Sequence, residues 1–316
     1  MSNLENINLL SVITPIFNEQ DNINTHYQEL TQILSQLKYF KDYEIIFIND
    51  GSTDNSINIL KELSVNNKKL KIINFTRNFG HEAATTAGIN SANGDAIVII
   101  DGDMQDPAEL ILEFEKEYIN NFDIVYGQRS KRLKESLFKK ITSKAFYPIF
   151  KILTKIDMPK DTGDFCLLSR RAINIFNQLP EKSRFVRGLI YWSGLPKKAL
   201  LFVRRERNAG KTKYNYKKLT IFALENIISF STVPIYFMIF FSMFLIFTCF
   251  LGVIATIIIK LMGYVIMSGW ASLVIIMLFL FAVTFFFLGI IGLYIGKIFE
   301  ETKNRPTYLI DEKINF

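Results

Sequence analysis

Two carboxylates separated by one glycine follow an apolar run in Ile99-Ile100-Asp101-Gly102-Asp103-Met104-Gln105-Asp106-Pro107. Held that close, Asp101 and Asp103 repel one another unless a cation or a hydrogen-bond donor joins them. A divalent metal bridging them to a diphosphate removes the repulsion, and oxygen ligands favour Mg2+ or Mn2+. A second segment of this kind is Ile48-Asn49-Asp50-Gly51-Ser52-Thr53-Asp54, where a carboxylate, a glycine and small hydroxyls open a helix. Asp50 can accept hydrogen bonds from a base or ribose while backbone amides face anionic groups. Each segment also reads as a plain strand-turn-helix with an aspartate cap. Their pairing at one sheet edge is what favours phosphate chemistry. Zinc is set aside, because His26 and His81 are the only histidines and no cysteine cluster accompanies them. His81 reads as a loop or helix-cap residue. Ala209-Gly210-Lys211-Thr212 lacks the first glycine of a P-loop, with Arg205 in that place, and no G-x-G-x-x-G follows the first strand.

For these segments to meet, they must leave the same edge of a sheet. Apolar runs at Leu9–Ile13, Tyr43–Ile48, Leu70–Phe75, Ala96–Ile100 and Asp123–Tyr126 predict buried strands rich in Ile and Val. Helical patterns lie between them at Asp21–Leu37, Asn55–Val65, Glu82–Ser91 and Ala108–Tyr118, the last after Pro107. The alternation predicts an α/β fold: a mostly parallel, doubly wound sheet with helices on both faces, binding ligands beyond the carboxyl ends of its strands.

The chain of 316 residues is 49% hydrophobic, more than a soluble domain of that size needs. The excess lies between Asn226 and Gly296, where Lys260 is the only charge. Two membrane spans are predicted, about 233–259 and 271–296, each longer than the roughly 20 residues that cross a hydrocarbon layer. Net charge is +7, concentrated in basic patches at 129–144 and 197–218 rather than spread along the chain. A nucleic-acid partner is not expected. Leu137, Ile141, Ala145, Ile149 and Leu153 recur every four residues beside lysines, which predicts a basic amphipathic helix. Such a helix lies on an anionic membrane surface or packs on the domain with a solvated lysine face. A further helix at about 216–230 leads into the bilayer, and the positive-inside rule puts both ends of the chain in the cytoplasm. The N-terminus has no signal-peptide pattern, and Cys166 and Cys249 are too differently placed to pair. The resulting division is an α/β core over 1–128, an acceptor-side and interface region over 129–230, the two spans within 231–298, and a cytoplasmic tail over 299–316.

The motifs also occur as a set. Thr14-Pro15-Ile16-Phe17-Asn18-Glu19, Asn49-Asp50-Gly51-Ser52, Arg77-Asn78-Phe79-Gly80-His81, Asp101 to Pro107, Asp161-Thr162-Gly163-Asp164-Phe165 and Arg184-Phe185-Val186-Arg187-Gly188 appear in order. Together they resemble the inverting family 2 glycosyltransferases of GT-A fold, with a Rossmann-like sheet. More narrowly they resemble the polyprenyl-phosphate branch, which includes dolichol-phosphate mannose synthases and bactoprenol glucosyltransferases. Asn49 departs from the pattern, since many members carry a second Asp there.

The resemblance implies that Pro15, Asn18, Glu19, Asp50 and Asp101 line the nucleotide-sugar pocket, and that Asp101, Asp103 and Gln105 hold Mg2+ or Mn2+. It implies that Arg129, Lys139, Lys140 and Ser143 bind the lipid phosphate, and that Arg204, Arg205, Arg207 and Lys211 belong to a basic loop over the phosphates. Asp161 and Asp164 are similar to the acceptor-side carboxylates, so catalysis is expected to depend on Asp101, Asp103, Asp161 and Asp164. The implied partners are a UDP- or GDP-sugar and polyprenyl phosphate at the plasma membrane, with self-association allowed. Two rival readings are a processive polysaccharide synthase, which usually adds a Q-x-x-R-W motif and more spans, and a non-catalytic adaptor for polyprenyl carriers.

Overall fold

The computed structural model describes residues 8–130, 152–154, 159, 162–182, 184–205, 231–262 and 269–316. The sequence-predicted helices at 137–153 and 216–230 fall almost entirely outside these residues, as do Lys139, Lys140, Ser143, Asp161, Arg207 and Lys211. The chain divides into two units, one of Met1–Lys151, Ile156–Lys213 and Arg305–Phe316, the other of Ile152–Lys155 and Tyr214–Asn304.

The first unit is built on an eight-stranded sheet. Its strands are β1 (Leu9–Ile16), β2 (Asp42–Asn49), β3 (Leu70–Phe75), β4 (Ala96–Ile99), β5 (Ile124–Arg129), β6 (Thr162–Ser169), β7 (Lys197–Phe202) and β8 (Ile310–Ile314). They lie in the order β7-β5-β6-β4-β1-β2-β3-β8. β1 pairs in parallel with β2 and β4, β2 with β3, and β5 with β7; β6 runs antiparallel to both β4 and β5, and β8 runs antiparallel to β3. The central strands are buried on both faces, as their unbroken Ile and Val runs require.

Helices α1 (Ile23–Leu34), α2 (Ser56–Val65), α3 (His81–Ser91), α4 (Leu110–Ile119), α5 (Arg170–Gln178) and α6 (Val186–Trp192) connect or flank these strands. α1 buries Ile23, Leu30, Ile33 and Leu34, one stripe of an amphipathic helix. α3 is packed by small residues instead. A Cβ on Gly88 would stand 2.3 Å from Ile13 Cγ2 and 2.9 Å from Ile48 Cδ1, so glycine lets α3 lie close on β1 and β2. That close seating brings the first residues of α3 to the carboxyl edge of the sheet.

The predicted β1 to β5 and α1 to α4 are all present, within a few residues at each end. The sequence division differs from the structure at two places. β6 and β7 lie beyond residue 128 and still belong to the core sheet, and the stretch read as a tail over 299–316 holds β8. β8 is fastened by Asn315, whose side-chain amide donates to the carbonyls of Leu70 (2.8 Å), Ser64 (3.0 Å) and Asn67 (3.4 Å). Asn315 also holds φ 63, a left-handed conformation that asparagine tolerates better than alanine. Asn315→Ala should therefore destabilise the protein by about 1–2 kcal/mol, read as a lowered denaturation midpoint; an unchanged midpoint would show that β8 is not held this way.

The second unit contains α7 (Val233–Leu261) and α8 (Trp270–Thr302), each long and apolar enough to cross a membrane. Tyr294 OH donates to the Ser231 carbonyl at 2.6 Å, and the Phe241 and Phe287 rings meet edge to face. Large apolar side chains on both helices are exposed, Phe240 at 68% and Phe285 at 67%, as a hydrocarbon environment demands. α7 begins where the first predicted span does, and α8 continues six residues past the end predicted for the second.

Candidate active site

The loops leaving the carboxyl ends of β1, β2 and β4 meet, and backbone amides do much of the joining. Asn18, at φ 54, accepts at Oδ1 from Thr53 N (2.8 Å), while its own N–H donates to Ser52 Oγ (2.9 Å). Glu19 N donates to Ser56 Oγ, and Glu19 Oε2 accepts from Asn22 Nδ2 (2.7 Å). Pro15 is buried within β1 opposite Ile48. Gly51 stands at φ +63 with its missing Cβ 2.3 Å from the Arg77 carbonyl carbon, so two loop backbones touch where no other residue fits.

Asp50 is 3% exposed. Its carboxylate accepts from Phe79 N (2.7 Å), Gly80 N (2.9 Å) and Asn78 Nδ2 (2.9 Å). Burial raises its pKa against the pull of these donors. Asp50, expected to line the nucleotide pocket, anchors the 77–80 loop through these bonds. Asn49 likewise binds its neighbours, donating to Asn74 Oδ1 (2.7 Å) and accepting from Ser52 Oγ (2.5 Å).

The acidic loop after β4 faces a set of arginines. Asp103 Oδ1 accepts from the Gln105 backbone N–H (3.1 Å), and Asp103 Oδ2 lies 3.7 Å from Arg204 Nη2. Asp106 is deeply buried, with Oδ1 3.9 Å from Arg204 Nε and neither oxygen hydrogen-bonded. Burial, reinforced by Asp101, pushes its carboxyl up to about 7. Arg129, at the end of β5, crosses Gly163, where a Cβ would be 3.0 Å from its Nη2. Arg205 does not face this loop: its guanidinium is taken by Glu29 (2.7 Å) and Glu109 (2.6 Å).

Beside Asp101 stands Asp164, one of the expected acceptor-side carboxylates, paired with His81, which the sequence reading left out of the site. His81 Nε2 lies 3.2 Å from Asp164 Oδ2 and 3.8 Å from Asp101 Oδ1. Asp164 Oδ1 accepts from Arg187 Nε (3.0 Å) and Nη2 (2.9 Å). Burial opposes ionisation of Asp164, yet Arg187 and His81 outweigh it and hold the carboxyl well below the usual range. Burial likewise opposes the charge on His81, but Asp164, Asp101 and Glu82 lift it to about 10. Glu82, next along α3, accepts from Val186 N at the start of α6 (2.8 Å) and is pushed up to about 7 by burial and then by Asp164. His81, Arg187 and Asp106 were visible only as members of motifs.

His26 is buried under β1, and desolvation lowers its pKa to about 4. With two histidines in the chain, imidazole titration by NMR of the metal-free protein should show neither changing charge near pH 6.5. The signs differ. His81, raised, contributes stability present below pH 6.5 and lost as pH rises through about 10; His26, lowered, loses its contribution as pH falls from 6.5 through about 4. A histidine titrating at its ordinary value would contradict this arrangement.

Among the described residues no three His, Cys, Asp or Glu side chains gather closely enough to hold an ion by themselves. Asp101 Oδ1 is nevertheless buried without a hydrogen bond, and Asp103 stands beside it. Two hard oxygen donors fit a divalent cation that completes its shell from substrate phosphates and water.

A sheet of this topology, with aspartates and arginines gathered at its carboxyl edge, defines an α/β protein that handles an anionic ligand. The chain belongs to glycosyl transferase family 2, whose model matches residues 11–176. It is 42% identical to the uncharacterized glycosyltransferase YkcC of Bacillus subtilis, over 96% of this chain and 93% of that one. It is 38% identical to the SfII prophage-derived bactoprenol glucosyl transferase of Shigella flexneri, over 95% and 97%. Among solved structures, glucosyl-3-phosphoglycerate synthase of Mycobacterium tuberculosis aligns with 70% of this chain and 78% of its own at TM-score 0.49 and 16% identity.

Proposed function

We propose that this protein is a membrane glycosyltransferase that moves one sugar from a nucleoside diphosphate sugar to polyprenyl phosphate, with inversion, giving a lipid-linked monosaccharide for cell-envelope glycan modification. The observation that carries the reading is the meeting of Asp101, Asp103, His81 and Asp164 with Arg129, Arg187 and Arg204 at one sheet edge, in a chain with two membrane-length helices. The full-length similarity to bactoprenol glucosyl transferases supports a lipid phosphate as acceptor.

Asp101 and Asp103, with Gln105 beside them, would hold Mg2+ or Mn2+. The ion, when bound, supplies positive charge to the departing nucleoside diphosphate. Asn18, Glu19 and the amides of the 49–54 loop bind the nucleotide end, against a wall set by Pro15 and Asp50. A polyprenyl phosphate is already anionic near pH 7, so attack on the anomeric carbon needs positioning and charge screening more than a strong base. Arg129, with Lys139, Lys140, Ser143, Arg207 and Lys211 of the basic patches, screens that phosphate. Asp164, locked ionised between Arg187 and His81, orients the acceptor side; Asp161 belongs to the same motif. One displacement inverts the anomeric configuration.

α7 and α8 cross the plasma membrane, and both termini with the catalytic unit lie in the cytoplasm. The return of the chain after α8 to a strand of the core sheet supports this topology. A donor screen tests the function: membranes carrying the protein are given radiolabelled UDP- and GDP-sugars, and label is followed into the polyprenyl phosphate pool. One donor should label that pool. Label entering long polymer instead would favour a processive synthase, and no labelling with any donor would favour a non-catalytic carrier protein.

A further inference from the structure

Arg204 stands where a cation is needed yet is bonded as though it were a temporary occupant. Its Nη2 is 3.7 Å from Asp103 Oδ2 and its Nε 3.9 Å from Asp106 Oδ1, ion-pair distances too long for hydrogen bonds. Arg204 Nε and both Asp106 oxygens are buried without a hydrogen-bond partner, as is Asp101 Oδ1. Such a guanidinium offsets charge but leaves the buried polar atoms unsatisfied, which is a costly arrangement to keep. Its neighbour is fixed differently. The Arg205 N–H donates to the Gln105 carbonyl (3.0 Å), and the Arg205 side chain is clamped by Glu29 and Glu109. The backbone is thus pinned beside the acidic loop, while the Arg204 side chain, 30% exposed, is held to that loop by ion pairs among the described residues.

We infer that Arg204 is the resting counter-ion of the Asp101–Asp103 site and competes with the divalent cation for it. A divalent ion on Asp103 and the Arg204 guanidinium beside Asp103 Oδ2 repel one another, so each weakens the other's hold on the carboxylate. With the ion bound, Arg204 would be displaced from Asp103, and a diphosphate held at the same loop would suit the released guanidinium. The consequence is an order of events: without the ion, Arg204 stays on the acidic loop, and with it, Arg204 becomes a positioning residue for the leaving diphosphate. This rests on the metal reading proposed above and adds a residue that opposes metal binding before it assists.

The test uses Mn2+ alone, titrated by electron paramagnetic resonance into the nucleotide-free full chain in detergent. Arg204→Ala should bind Mn2+ about tenfold more tightly than the parent, the size expected for removing one competing charge. Arg204→Lys keeps the charge and should stay within about twofold of the parent, which controls for a change in folding. Mn2+ affinity that is unchanged or weaker in folded Arg204→Ala would overturn the inference. Asp103→Ala separates it from the reading beneath: if that variant loses Mn2+ while Arg204→Ala is unaltered, only the competition fails. If Asp103→Ala binds Mn2+ as the parent does, the metal site itself is misplaced and the inference falls with it.

Discussion

Asp103→Ala should reduce sugar transfer by at least about a thousandfold, while the protein remains folded. The side chain lies in the loop after β4, where its Oδ1 accepts from the Gln105 N–H. On the proposed mechanism the variant loses one of the two oxygen donors that would hold the ion, an electrostatic contribution of the kind that is worth most in a water-poor site. The check is initial rate with the preferred donor alongside a denaturation curve. Transfer retained within about tenfold in a folded variant would remove the carboxylate pair from the mechanism.

A second large effect is expected at Asp164. Asp164→Asn should lower the rate by about a hundredfold, because the amide cannot hold Arg187 by a charge-assisted fork or balance His81. The pH profile tells what kind of residue it is. With its carboxyl held well below the usual range, Asp164 stays ionised through neutral pH, so the parent should show no acid limb from this group between about pH 5 and 8. An acid limb present in the parent and absent from the variant would make Asp164 a proton acceptor rather than an orienting group.

The strands that carry both residues differ in how they announce themselves. β1 to β4 are unbroken apolar runs separated by helical periods, so burial on two faces is written in composition. β8 is Ile-Asp-Glu-Lys-Ile, an edge strand whose charges keep other chains from pairing with it, and that protection is what makes it read as a tail. β6 lies in a motif whose aspartate and glycine draw attention away from its apolar half.

Within the site, residue types were legible and partners were not. Asp101 and Asp103 follow from one glycine of spacing. Asp50 is equally plain as a carboxylate after a strand, but the amides it accepts come from Phe79 and Gly80, on the loop after a different strand. The sequence shows Arg205 as one of a basic run; only the fold brings Glu29 and Glu109 to it. His81 looked like a helix-cap residue and does begin α3, yet what makes it part of the site is Asp164, which arrives on an antiparallel strand far along the chain.

The most direct measurement is transfer by the purified full-length chain of radiolabelled sugar into extractable polyprenyl phosphate, with nucleoside diphosphate release followed in the same tube, in Mn2+ and in excess chelator. Label and nucleoside diphosphate should appear in equal amounts with the ion and fall to background without it. Equal rates in chelator, or nucleoside diphosphate released with no label in the lipid, would contradict the account.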